Sequence, residues 1–139
     1  MSKKYEFIEH TADLGLKAYG ASIEELFVNA AEGLFDALVS PKGVEEREER
    51  VIEVEAEALD ELMVSWLSEL LYIHDTEKLV FKCFEVKRLK GNHVEAIARG
   101  EVLDPARHEI KTGIKAVTYH QLYVEESERG WETQVIFDI

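Results

Sequence analysis

Apolar residues fall at positions 23, 26, 27, 30, 31, 34, 35 and 38, one continuous stripe at the 3.6-residue period of an α-helix. Ser22 precedes the stripe and Glu25 follows it by three, a capping-box spacing that answers two of the free N–H groups at a helix start. Ser40-Pro41-Lys42-Gly43 ends it, so the pattern predicts a helix over Ser22 to Val39. Leu62, Met63, Trp66, Leu67, Leu70 and Leu71 form a second stripe, predicting a helix from Asp60 to His74. Elsewhere the period is two. Tyr5 to His10 and Leu14 to Tyr19 read as short strands. In Val51 to Ala58, Ile52, Val54, Ala56 and Ala58 point one way while Glu53, Glu55 and Glu57 point the other. Phe84 to Lys90 and His93 to Leu103 flank Gly91-Asn92, a two-residue hairpin signal. Asp104-Pro105 opens a turn, and a further β-like run lies within Ile110 to Leu122. Leu122 to Glu126 and Trp131 to Phe137 flank Glu128-Arg129-Gly130 as a last hairpin.

The sum is two helices and about seven strands. Hairpins dominate the second half, and each helix has a single apolar face. The expected fold class is therefore α+β, with two amphipathic helices packed on one side of a mostly antiparallel sheet. A chain of 139 residues suits one domain, 1–139.

Charge narrows the function. The formal net charge is −13, and such a surface repels phosphate backbones and anionic membranes. No direct nucleic-acid or membrane binding is expected; a basic protein partner or a cation is the natural complement. Charged residues make up 32% of the chain, with Glu set against Lys and Arg, a balance shared with thermophile proteins. Cys83 is the one cysteine, which excludes an internal disulfide and Cys-rich zinc sites, and its apolar neighbours make it a small core residue. No apolar leader follows Lys3 and Lys4, and no run of roughly 18 apolar residues exists, so a cytoplasmic setting is expected.

P-loop, nucleophile-elbow and H-E-x-x-H strings are absent. Among the histidines, His93 beside a turn and His108 in the Asp104–Glu109 loop are expected to be exposed, and His74 to sit at a helix end where the dipole favours a positive ring. His120 falls near a strand end. His10 and Asp13 stand three apart in a turn that can aim both side chains outward, although an Asp in a turn commonly bonds its own backbone. At the other end, Asp138 points to the opposite face from Phe137, and the Ile139 carboxylate adds a second negative group beside it. Two carboxylates held close repel unless a cation lies between them, and oxygen donors suit Ca²⁺ or Mg²⁺. An added His would favour Zn²⁺ or Mn²⁺.

Three strings carry a resemblance. Glu9-His10-Thr11-Ala12-Asp13-Leu14-Gly15-Leu16, Ile114-Lys115-Ala116-Val117-Thr118-Tyr119-His120 and the closing Phe137-Asp138-Ile139 resemble, in order and over essentially the whole chain, the signatures of the archease family. What the resemblance implies is a small α+β accessory protein, not itself an enzyme, that activates the tRNA-splicing RNA ligase RtcB by promoting its guanylation and turnover. It also implies a divalent metal, Ca²⁺ first with Mg²⁺ or Mn²⁺ as the other candidates, held by Asp13, Asp138 and the terminal carboxylate of Ile139. His10 belongs to the same motif; Lys115 and His120 are implied as contacts to the ligase side. Two other readings stay open: a chaperone-like binder of RNA-processing enzymes without a metal role, and a metal-dependent hydrolase.

Overall fold

The computed structural model describes residues 3–9 and 11–139. Its helices are α1, Ile23–Leu38, and α2, Leu59–Glu77. The α1 start is the expected capping box: the Glu25 N–H donates to Ser22 Oγ at 3.1 Å, and the Glu25 carboxylate accepts from the Ala21 N–H at 3.2 Å. Lys78 closes α2 in the left-handed region, φ 59°, with its N–H on the His74 carbonyl. His74 lies in the last turn of α2, as expected. Its Nδ1 meets the Leu79 carbonyl at 2.8 Å, and the ring stands edge-on to Phe35.

Seven strands, expected as a single sheet, divide into two, each antiparallel throughout. The first contains β1 (Tyr5–Glu9), β2 (Asp13–Gly20), β6 (Ala116–Ser127) and β7 (Gly130–Asp138), in the order β1-β2-β7-β6. The second contains β3 (Glu48–Glu55), β4 (Leu79–Lys90) and β5 (His93–Val102), in the order β3-β5-β4. The fold is α+β, as expected. The two sheets share α1, which is buried on two faces rather than one. Toward β2 it presents a close-packing face. Asn29 Nδ2 donates to the Tyr19 carbonyl at 2.7 Å, and a Cβ on Gly33 would stand 2.6 Å from Leu16 Cδ1. Toward α2 and β4 it presents bulk: Phe27 lies against Trp66, and Phe35 against Phe81 and Phe84. Both helices touch strands of both sheets. Trp66, wholly buried, donates its indole N–H to the Phe27 carbonyl at 3.0 Å, so burial leaves no orphan donor.

Gly91 and Asn92 both have positive φ, 63° and 58°, the requirement of the tight β4–β5 hairpin turn. The two β-like runs predicted over 110–126 are differently divided. Residues 116–127 form one strand, β6, broken by an irregularity in its pairing with β7 between Thr118 and Tyr123, where Gln121 takes φ 51°. Residues 103–115 form a crossover from one sheet to the other. Its middle is tied to the end of α1 by the Ser40 N–H on the Glu109 carbonyl and the Lys111 and Thr112 N–H groups on Leu38 and Ala37. Cys83 is only half-buried, at a β4 bulge rather than in the core. Among the described residues no helix is long and apolar enough to cross a membrane.

Candidate functional site

β2 begins where β7 ends. Asp13 lies directly opposite Asp138 in the β2–β7 ladder, and Ala116 lies opposite Asp138 on the other side. Residues directly opposite share a sheet face, with Cβ atoms about 4.5–5.5 Å apart. Leu14 and Phe137, the next pair inward, are buried against the helices, so the two aspartates occupy the face turned away from them. Opposed like charges are destabilising when nothing lies between them.

The arrangement has one conspicuous gap. Asp13 Oδ1 is shielded from solvent and accepts no hydrogen bond from the described residues. A buried carboxylate oxygen without a donor costs free energy, and either a proton or a cation answers it. Asp138 is exposed, and its main chain is held: the Lys115 N–H donates to the Asp138 carbonyl at 2.7 Å. Ile139 follows, 39% exposed. The donor set that faces outward is oxygen alone, which fits a hard divalent cation. Among the described residues no group of three His, Cys, Asp or Glu side chains converges on a metal position. His10 lies outside the described residues.

The other candidates are placed less centrally. Lys115 is exposed and joins the site through its backbone. His120 is exposed within the β6 irregularity, its N–H on Thr118 Oγ1 at 3.2 Å, and Thr118 Oγ1 in turn donates to the Ile136 carbonyl. Neither side chain forms a hydrogen bond or ion pair with the aspartates.

At the far end of the β2–β7 ladder lies a cleft of about 430 Å³, bordered by Tyr19, Trp131, Glu6, Glu25 and Glu132. Its acids are already engaged: Glu6 with the Tyr19 hydroxyl, Glu132 with the Tyr123 hydroxyl, Glu25 with the Ala21 N–H. Burial, reinforced by these carboxylates, pushes the Tyr19 and Tyr123 phenols above their ordinary range. The cleft is a closed hydrogen-bonding account, unlike Asp13.

A second buried carboxylate escaped the periodicity of the sequence. Glu101, 4% exposed, accepts from the Glu45 N–H at 2.7 Å, Arg107 Nη2 at 2.5 Å and His108 Nε2 at 3.0 Å. The Asp104 N–H donates to His108 Nδ1 at 2.9 Å, which puts the ring proton on Nε2. His108, expected to be exposed, is therefore buried at 4%. The 104–108 turn folds its ring inward onto the end of β5. The Glu45 N–H, then Arg107 and His108, hold the Glu101 carboxyl well down, at about 2. The sequence carried no signal for it, because Glu101 falls on the polar phase of its strand in step with Glu95 and Arg99. His93, half-buried, meets Glu53 Oε2 at 2.7 Å.

Comparison with known proteins agrees in extent and in fold. Residues 5–139 match the model of the Archease protein family (MTH1598/TM1083). The chain is 48% identical over 141 aligned residues to protein archease of Pyrococcus abyssi, covering 99% of each chain. It is 41% identical over 141 aligned residues to protein archease of Methanosarcina mazei, covering 99% of this chain and 97% of that one. The solution structure of Methanobacterium thermoautotrophicum protein 1598 superposes with a TM-score of 0.85 at 38% identity, covering 98% of this chain and 99% of that one. The crystal structure of an archease, described as a possible chaperone, from Thermotoga maritima superposes with a TM-score of 0.65 at 26% identity, covering 100% of this chain and 98% of that one.

Proposed function

The chain belongs to the archease family, and from that premise we propose that it is a metal-binding accessory protein, not itself an enzyme, that activates the tRNA-splicing RNA ligase RtcB by promoting guanylation and turnover of the ligase. The observation that carries this reading is the cross-strand pairing of Asp13 with Asp138 together with the shielded, unbonded Asp13 Oδ1. Asp13, Asp138 and the carboxylate of Ile139 would hold one divalent cation, Ca²⁺ by preference for an all-oxygen set and Mg²⁺ or Mn²⁺ otherwise. When bound, the cation supplies positive charge of the kind that stabilises phosphate oxygens in a guanylyl transfer.

This chain's own residues do the rest. The β2–β7 ladder fixes the spacing of the two carboxylates, and the Lys115 N–H fixes the main chain of Asp138. The net charge of −13 favours encounter with a basic, RNA-binding partner. Lys115 and His120, exposed beside the site on the β6 side, are the proposed ligase contacts.

Calorimetric titration with Ca²⁺, paired with a ligase-guanylation assay, tests the assignment. Asp13→Ala and Asp138→Ala each lose binding and activation; unchanged affinity in both sinks it. An extension after Ile139, which turns its carboxylate into an amide, weakens binding, and full activation by the extended protein removes Ile139 from the set.

The description of the Thermotoga maritima relative as a possible chaperone favours one other reading, a binder of RNA-processing enzymes that needs no metal. Capture of the ligase with and without chelator separates the two, because only the metal-dependent activator loses its partner.

A further inference from the structure

We infer that Tyr119 is the anchor by which the Asp13–Asp138 end of the molecule docks on its protein partner, seating its ring in an apolar pocket of the ligase. The inference rests on the reading of the chain as a ligase activator, and it concerns a residue to which that reading gives no role.

Most tyrosine hydroxyls in this fold are engaged. Tyr5, Tyr19 and Tyr123 donate to Asp36, Glu6 and Glu132. Tyr72 and Tyr119, each 62% exposed, have no such partner among the described residues. A single exposed large side chain is ordinary on a protein surface. Tyr72 is of that kind, set in the regular backbone of α2. Tyr119 differs in its backbone and in its place.

Tyr119 stands in the irregularity of β6, where pairing with β7 lapses between Thr118 and Tyr123. Gln121 holds φ 51°, a conformation that costs a non-glycine residue free energy and persists where neighbours impose it. Those neighbours are identifiable. Thr118 Oγ1 donates to the Ile136 carbonyl at 2.9 Å and accepts the His120 N–H at 3.2 Å. Gln134 Nε2 donates to the Gln121 carbonyl at 3.0 Å. Both flanks of Tyr119 are tied to β7, so its backbone is braced before any partner arrives.

β6 is a border strand, and no strand lies beyond Tyr119. Ala116 pairs with Asp138, which puts Tyr119 three residues along β6, roughly 10 Å from the Asp138 row. Ile139, 39% exposed, adjoins Asp138 on the chain. Exposed apolar side chains thus border the carboxylates. Tyrosine suits an interface anchor, because it buries a large area while losing only two side-chain torsions. The two aspartates and the net charge of −13 disfavour a phosphate backbone at this end, so the occupant is a protein pocket rather than a stacked nucleobase.

Binding of the full-length protein to the ligase, measured by surface plasmon resonance in Ca²⁺, decides the matter. Tyr119→Ala is expected to weaken binding by about 30-fold, the level of an interface hot spot, with an unchanged melting temperature. Tyr72→Ala, the control of equal exposure, stays within about twofold of the parent. Tyr119→Phe keeps the ring and stays near the parent as well. Thr118→Val removes the brace but not the ring, and weakens binding by about 5-fold. Parental binding by Tyr119→Ala, or an equal loss in Tyr72→Ala, overturns the inference and leaves the activator reading standing. A single-stranded RNA oligonucleotide that shifts the Tyr119 ring resonances of the protein alone makes the occupant a nucleobase and overturns it too. A parent protein that does not bind the ligase overturns the activator reading, and the anchor with it.

Discussion

Asp13 and Glu101 each place a carboxylate oxygen out of water, and their surroundings are opposite. Glu101 receives a backbone N–H, a guanidinium and an imidazole N–H. Asp13 Oδ1 receives none of these, and a second aspartate faces it across the ladder. The first environment stabilises the ionised form by itself and leaves nothing to recruit. The second supplies no donor to Oδ1 from the described residues. The two acids thus differ in their hydrogen-bond partners: Glu101, the deeper one, has its donors supplied, and the half-buried Asp13 leaves one oxygen without any among the described residues.

The largest expected effect bears on the incomplete partner. Ca²⁺ at a hundredfold excess over its dissociation constant raises the stability of the parent protein by about 2.7 kcal/mol, read as a higher melting temperature. Asp13→Ala abolishes that rise. In chelator the same variant is as stable as the parent or more so, by about 0.2–1 kcal/mol, because an opposed like charge has gone. A large loss of stability in chelator would show that Asp13 is held by partners of its own, and the contrast with Glu101 would collapse.

The next effect belongs to Glu101. Its carboxyl lies at about 2 in the folded protein against an ordinary value of 4.5. The folded state therefore binds the proton more weakly than the unfolded one. The resulting stability is complete above pH 4.5 and drains away as the pH falls toward 2. Glu101→Gln starts less stable at neutral pH and loses less on acidification, so chemical-denaturation curves of the two proteins converge in acid. Parallel acid limbs would remove Glu101 as their source.

The smallest effect is the exposed control. Arg50 Nη2 and Glu77 Oε1 approach to 2.8 Å on the surface, with side chains 35% and 43% exposed. Glu77→Gln changes stability by less than about 1 kcal/mol, and added salt shrinks the difference further. Its midpoint in urea sets the scale against which the two shielded carboxylates are judged.

Local elements were legible where the signal is local. The α1 stripe, its Ser22–Glu25 cap and the Gly91-Asn92 turn are each written within a few residues, and all three appear as expected. The separation into two sheets was not legible. Alternation says which face a strand buries but not which strand lies beside it, and the small face of α1, with Asn29 and Gly33, fell outside the one apolar stripe that the period picks out. The adjacency of Asp13 and Asp138 was equally hidden from periodicity, because it arises from pairing the second strand with the last. The motif resemblance named those residues, and the ladder register shows that they meet. His108 was misread as exposed because loop composition does not reveal a carboxylate waiting beneath the loop.

The irregular stretch of β6 has a consequence for how the molecule behaves at high concentration. β6 spans twelve residues and forms one border of its sheet, with no strand beyond it. An unbroken border of that length offers a row of free N–H and C=O groups on which another chain could add. Here the regular pairing lapses between Thr118 and Tyr123. Gln121 turns to φ 51° and its carbonyl is taken by Gln134 Nε2 at 3.0 Å. The border is cut into two short pieces with a kink between them, and an incoming strand finds no continuous register to follow. The feature that displays Tyr119 and His120 thereby also guards the protein against self-association through its open flank.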